Sequence, residues 1–194
     1  MAKKKEGQPR ILIVSLSASE PSVGRLCVPT LETAFSKAGA AVTLRDIRDL
    51  PPVWVDKREL EEFPPAYAAL YAEVEASDGV LLVVPIHCYT MSGAAKSVTE
   101  IIGDALTLKP VAIVTASGSH RSHLAIRDLM VSMMFEQETI CFPGTVQATE
   151  EMLKKDKPNK ELQKRLTVLA TKFVAFVVAL KPFVVEHGSA DNQE

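Results

Sequence analysis

Three short stretches carry residue types able to do chemistry. "SLSASEPSVGR" (Ser15–Arg25) puts four serines and a glycine, Ser15, Ser17, Ser19, Ser22 and Gly24, ahead of Arg25. "PIHCYTMSG" (Pro85–Gly93) sets His87 beside Cys88 and then runs through Tyr89, Thr90 and Met91. "ASGSHRSHLA" (Ala116–Ala125) joins Ser117, Gly118 and Ser119 to Arg121 and two histidines. Hydroxyls and free backbone N–H groups at a helix start cradle an anion, aided by the positive end of the helix dipole. Charge-assisted hydrogen bonds of that kind contribute about 1.5–3 kcal/mol each. The first stretch has neither the GxxxxGK[ST] nor the GxGxxG spacing, so it is neither of those nucleotide loops. Serines also favour turns and helix caps for purely structural reasons, and it is their clustering that points to an anion.

The His87–Cys88 pair raises nucleophilic and metal chemistry. Consecutive residues on extended backbone point to opposite faces, which keeps a thiol from a neighbouring imidazole. The four histidines show no HxxxH or HxH spacing, and Cys27, Cys88 and Cys141 form no CxxC, so neither a zinc site nor a disulfide framework is indicated. The remaining reading is the wall of a binding loop.

These stretches need a scaffold that brings them together. "ILIVS" (Ile11–Ser15), "GVLLVVP" (Gly79–Pro85) and "PVAIVTAS" (Pro110–Ser117) are apolar on both parities, as strands buried on both faces must be. "AVTLRDI" (Ala41–Ile47) alternates and suits an edge, and "ETICFPGTV" (Glu138–Val146) is a shorter strand interrupted by Pro143. Helical periodicity fills the gaps: Leu31, Ala34 and Phe35 before a stop at Gly39; Tyr67, Leu70, Tyr71 and Val74; Ala94 to Ala105; Leu124 to Met133; and a last helix over roughly Lys160–Lys181. Pro29 is expected in a first turn, since an interior proline costs about 3 kcal/mol. Alternating strand and helix implies right-handed crossovers and a doubly wound parallel sheet. In such sheets ligands bind beyond the carboxyl ends of the strands, where all three stretches fall.

The first loop resembles the phosphate loop S-G-S-x-R-x-x-S-x-N of the NADPH-dependent FMN reductase family, with Ser15, Ser17 and Ser22 on its serines. Ser19 stands at its Arg position and Gly24 at its Asn position, with Arg25 close enough to substitute for the arginine. The second is similar to the family's P-E-Y-N-x-S-x-x-G-x-L-K-N: Pro85, Gly93 and Lys96 coincide, Thr90 takes the serine position, and Ile86, His87 and Cys88 replace the acidic, aromatic and amide residues. The resemblance covers roughly Arg10–Gln147. It implies a flavodoxin-like α/β sandwich with a five-stranded parallel sheet in the order 2-1-3-4-5 and helices on both faces. It further implies FMN as cofactor and NADPH or NADH as reductant. Ser15, Ser17, Ser19, Ser22, Gly24 and Arg25 would hold the phosphate. Pro85, His87, Cys88, Tyr89, Thr90 and Met91 would line the ring, and Ser117, Gly118, Ser119 and Arg121 would face its pyrimidine end. No catalytic side chain and no metal are implied, because hydride transfer asks the protein for stacking, orientation and electrostatics. Lys96 reads as a tether.

Bulk properties bound the alternatives. A chain of 194 residues supports one domain with a real core, here 10–182, flanked by tails at 1–9 and 183–194. A formal net charge of −2 with 24% charged residues argues against a nucleic-acid or membrane-surface partner and does not suit a one-electron carrier with a strongly acidic docking face. The third strand ends "VVPIHC", without the Asp that a phosphorelay receiver needs there. Unpaired cysteines and a polar start "MAKKKEGQPR" point to the cytoplasm. "LTVLATKFVAFVVAL" (Leu166–Leu180) is short of the ~20 apolar residues of a span. It reads as a core or subunit-contact helix, and together with "LMVSMMF" (Leu129–Phe135) and the family's habit it favours a homodimer or homotetramer. The function expected is an FMN-binding NAD(P)H-dependent oxidoreductase acting on small molecules. Alternatives are a quinone, azo-dye or metal-ion reductase with prosthetic FMN, a flavodoxin-type electron carrier, and a silent flavin-binding scaffold.

Overall fold

The computed structural model describes residues 7–187; residues 1–6 and 188–194, most of the two expected tails, lie outside the described residues. Five parallel strands form the sheet: β1 (Arg10–Ser15), β2 (Ala41–Asp46), β3 (Gly79–His87), β5 (Pro110–Ser117) and β6 (Ile140–Thr149). Their order is β2-β1-β3-β5-β6, with a two-residue antiparallel strand β4 (Thr90–Met91) attached to β3. Leaving β4 aside, this is the expected 2-1-3-4-5 order.

Side-chain alternation divides the core in two. Ile11 and Ile13 of β1 pack with Leu31 and Phe35 of α1 (Val23–Lys37) and Phe173 of α5 (Lys160–His187). Leu12 and Val14 pack on the other face with Tyr67 and Leu70 of α2 (Pro65–Ala76), Val98 of α3 (Gly93–Ile101) and Leu129 of α4 (Ile126–Glu136). Each such large apolar side chain, fully buried, is worth about 1.5–3 kcal/mol. β5 is buried along its whole length, whereas β2 alternates as an edge strand does. Gly39, at φ 90°, turns the chain out of α1 in the left-handed conformation that glycine adopts without strain.

Four local expectations change. Pro29 lies well inside α1, not in its first turn. It is exposed, so its ring stands on the outer side of α1, and Thr33 Oγ1 donates to the Pro29 carbonyl at 2.9 Å. The fifth parallel strand continues past Pro143 to Thr149 because the pairing skips: Val111 faces Cys141 but Ile113 faces Thr145. The Phe142–Gly144 segment therefore bulges from the outer edge of the sheet, where a proline's missing donor is tolerated. β3 runs on to His87 and folds back as a hairpin. The last helix reaches His187 through Pro182, so the stretch expected as tail from 183 is helical as far as it is described. At 28 residues that helix is long and apolar enough to cross a membrane by length and composition alone. Its inward residues Leu162, Leu166, Leu169, Phe173 and Val177 nevertheless complete the core.

Candidate functional site

β1 leaves the sheet at Ser15, and the Leu16 N–H still bonds to the Val83 carbonyl at 2.9 Å, so the first loop starts from a fixed point. Ser15 and Ser17 are buried. Ser17 Oγ accepts from the Ser19 N–H at 3.3 Å, while Ser15 Oγ has no partner among the described residues. Ser22 caps α1, its hydroxyl accepting the Arg25 N–H at 3.3 Å. No acidic residue stands in the first turn of α1, which leaves the positive helix end available to an anion. Gly24 sets how close that end comes to the sheet. A Cβ there would meet Val83 Cγ1 at 2.8 Å and Ala116 Cβ at 3.2 Å.

Arg25 is committed elsewhere. Its guanidinium pairs with Asp46, the last residue of β2, and Asp46 also holds Arg48 through its N–H at 2.9 Å. Arg48 in turn reaches Glu20 at 3.0 Å. The group ties the first loop to the end of β2, with the Arg25 guanidinium engaged by Asp46.

The second loop is a hairpin. Cys88 and Tyr89 take φ of 48° and 64°, and Ile86–Met91 and His87–Thr90 pair across it, the arrangement of a type I′ turn. Cys88 is thus not on extended backbone; it and Tyr89 are exposed at the tip. Ser92 then caps α3, accepting from the Ala95 N–H at 3.2 Å. Lys96 pairs with Glu100 one turn on, a contact within α3. Cys27, by contrast, is buried, its thiol donating to the Val23 carbonyl at 3.4 Å and pushed up to about 12 by burial, which removes it from nucleophilic chemistry.

The third loop leaves β5 at Ser117, whose hydroxyl donates to the Ser119 carbonyl at 2.9 Å. Gln147 of β6 donates to Ser117 Oγ at 3.0 Å and to the Ser119 carbonyl at 3.1 Å. The N–H groups of Gly118 and Ser119 have no acceptor among the described residues, and both residues are exposed.

The three loops meet at an open cleft of about 140 Å³. Ser17, Ser19 and Ser22 form one wall, Pro85 and His87 a second, Ser117 and Gly118 a third. Pro21, Val23, Ile86 and Ala116 also line it, and the sequence reading did not single them out. Ser15 and Gly24 lie beneath the wall, and Cys88, Tyr89, Thr90, Met91, Ser119 and Arg121 stand outside it. A larger cleft of about 590 Å³ opens on the other side of the first loop, bounded by Ala18, Arg48, Tyr67 and a Trp54 that is 84% exposed. Nothing in local periodicity marks Trp54 as a cleft residue.

This donor set suits FMN. A row of serines and the start of α1, with no acidic residue in its first turn, face one end, and the unpartnered Ser15 hydroxyl lies beneath them. The unpaired N–H groups of Gly118, in the lining, and of Ser119 next to it stand at the other, where an electron-rich ring edge needs donors.

Residues 9–152 match the family model described as NADPH-dependent FMN reductase. A quinone reductase of Escherichia coli is 30% identical over 96 residues, 45% of this chain and 51% of that one. The match thus spans about half the length of this curated relative. Among solved structures, the chain superposes on an oxidoreductase from Corynebacterium diphtheriae with TM-score 0.71 at 21% identity, covering 90% of this chain and 99% of that one. It superposes on FerB, a flavoenzyme NAD(P)H:(acceptor) oxidoreductase from Paracoccus denitrificans, with TM-score 0.72 at 17% identity over 88% and 98%. An archaeal flavodoxin gives 0.60 at 11% over 87% and 99%. At these identities the structural likeness establishes the flavodoxin-like fold, and the sequence match over well more than half the chain establishes the lineage: the chain belongs to the NADPH-dependent FMN reductase family.

Proposed function

We propose that the chain is an FMN-binding, NAD(P)H-dependent oxidoreductase. The observation that carries this reading is the convergence of three strand-end loops on one cleft, with hydroxyl donors at one end and unpaired N–H groups at the other. Ser17, Ser19 and Ser22 hold the phosphate, with Ser15 beneath them and Gly24 setting the approach of the helix end. Arg25 acts through its pairing with Asp46, as a tether of that loop. Pro85 and His87 form the ring wall, and Cys88, Tyr89, Thr90 and Met91 build the hairpin that supports it. Gly118 and Ser119 supply N–H donors, Ser117 orders them, and Arg121 adds positive charge at the mouth. When bound, FMN would supply two-electron chemistry with NAD(P)H as the reductant, and the open mouth would admit the reductant and a second acceptor in turn. The chain's part is to orient, to leave one face open and to stabilise the negative charge that reduction places at the ring edge.

Purified protein supplied with FMN is expected to oxidise NADPH; no turnover with FMN or with quinones overturns the reading. A second reading, a quinone reductase that keeps its FMN, is favoured by the 30% identity to the Escherichia coli quinone reductase. A visible spectrum of the purified protein separates the two, since retained flavin colours it and is released on denaturation. The outward residues of α4, Val131, Met134 and Phe135, are 48%, 52% and 85% exposed, and we infer that they mediate a homodimer or homotetramer. Three free cysteines fit a reducing cytoplasm.

A further inference from the structure

We propose that Gln147 is a positioning residue that aims the third loop at the bound flavin, an inference that rests on the FMN reading above. Gln147 lies on β6 opposite Thr115 of β5, one strand away from the cleft and outside its lining. Its side-chain amide reaches across to Ser117 Oγ at 3.0 Å and the Ser119 carbonyl at 3.1 Å. The Ser117 hydroxyl, accepting from Gln147, spends its own proton on the same carbonyl at 2.9 Å. A single carbonyl thus receives two donors, both from the β5–β6 side. The Ser119–His120 peptide is trans, so its N–H points opposite to its C=O. That N–H is His120's; with β5 holding the chain at Ser117 and this peptide plane fixed after Ser119, the two peptides that carry the Gly118 and Ser119 N–H groups are restrained at both ends. The neighbouring N–H groups of Gly118 and Ser119 are left without acceptors, in a loop that contains a glycine and no regular structure before His120. Such a loop keeps donors aimed only if something outside it fixes a peptide plane, and Gln147 is the side chain that does so among the described residues.

The role is one of preorganisation. Donors fixed before reduction stabilise the charge that develops without reorganising. Loss of the brace therefore weakens reduced FMN more than oxidised FMN, and the midpoint potential moves negative. A residue that merely stabilised the fold would change both affinities together.

Gln147→Met keeps length and removes both donors. Three measurements test it. Amide ¹⁵N relaxation of Gly118 and Ser119 in flavin-free protein is expected to show a mobile loop in the variant. Titration with FMN is expected to give a dissociation constant raised about threefold for the oxidised form and about tenfold or more for the reduced form. Ser117→Ala, which removes the hydroxyl the amide leans on, is expected to act in the same direction, and the double variant to be no worse than Gln147→Met alone. An unchanged loop in the flavin-free variant overturns the brace, whatever the flavin does. Equal losses for the two redox forms overturn the link to reduction. Failure of the unsubstituted protein to bind FMN is a separate result, which overturns the flavin reading itself.

Discussion

The two ends of the sheet differ in how completely they satisfy buried polar groups. At the amino ends of the strands they are satisfied. The Lys109 ammonium, just before β5, donates to the carbonyls of Ser77 at 2.8 Å and Glu75 at 3.2 Å. The Ser77 hydroxyl donates to Val74 O at 2.7 Å, and Thr139 Oγ1, just before β6, to Leu106 O at 3.2 Å. Asp78, just before β3, accepts from the Arg10 N–H at 2.7 Å and meets Lys181 of α5 at 3.0 Å. At the carboxyl ends, Ser15 Oγ, Thr149 Oγ1 and Arg25 Nε are buried without partners among the described residues. Buried polar atoms are rarely left so, because each costs about 1–3 kcal/mol. The unpartnered groups thus cluster at the end of the sheet that carries the cleft.

The largest test of this contrast is Lys109→Met. It strands the buried Ser77 carbonyl and the part-buried Glu75 carbonyl, so the cost is expected at about 3 kcal/mol or more in urea unfolding, with FMN affinity unchanged once the protein is folded. Gly24→Ala, at the other end, is expected to cost about 1–3 kcal/mol through the Val83 and Ala116 overlaps. Unlike Lys109→Met it should also weaken FMN, because α1 must back away from the loop. If both variants lower FMN affinity to the same extent, the division of labour between the two ends is wrong.

The contrast was only half visible in the sequence. Two-sided apolar runs placed β1, β3 and β5 within two residues of their observed bounds, because burial on both faces is written into local composition. Serines after β1 and the Ser-Gly-Ser after β5 marked the loops for the same reason. What local pattern could not carry was partnership across the chain. Arg25 looks like a spare cation until Asp46 is seen beside it. Gln147 looks like an ordinary strand residue until the third loop folds over it. Pro29 reads as a first-turn residue, and only the fold shows that it sits inside α1 on the exposed side. The run past Pro143 depended on which strand was the edge, a fact of topology.

Acid sensitivity offers a finer test. Burial alone would raise the Asp78 carboxyl, but the Arg10 N–H and the Lys181 ammonium outweigh it and hold the group below its ordinary value. A carboxylate depressed in the fold contributes stability that is full above the unfolded value and is lost as pH falls through the folded one. Asp78→Asn should therefore be less stable than the parent at neutral pH, with the gap narrowing as pH falls into the acid range. A gap independent of pH would mean that the ion pair is not what ties α5 to the base of the sheet. Ser15→Ala probes the opposite end. Removing an unpartnered hydroxyl should leave the flavin-free protein within about 0.5 kcal/mol of the parent, since no hydrogen bond is lost. FMN binding should weaken about fivefold, one ordinary hydrogen bond's worth. Destabilisation of the flavin-free protein by more than that would show that the hydroxyl has a partner of its own.

The smallest effect expected is a gain. Cys88 and Tyr89 both hold positive φ at the hairpin tip, a conformation that costs an ordinary side chain about 1 kcal/mol and that Asn tolerates. Type I′ turns favour Asn at the first of these positions, and the family pattern carries an amide there. Cys88→Asn should therefore raise stability by about 0.5 kcal/mol while leaving the His87–Thr90 pairing in place. The same substitution separates two roles for the residue. A thiol that only fills a turn leaves NADPH oxidation unchanged when replaced, whereas one that tunes the ring shifts the flavin potential. Cys88 is exposed, outside the cleft wall, at the tip of the hairpin. That position predicts the first outcome: a stabilised hairpin, an unmoved potential, and chemistry that does not pass through sulfur.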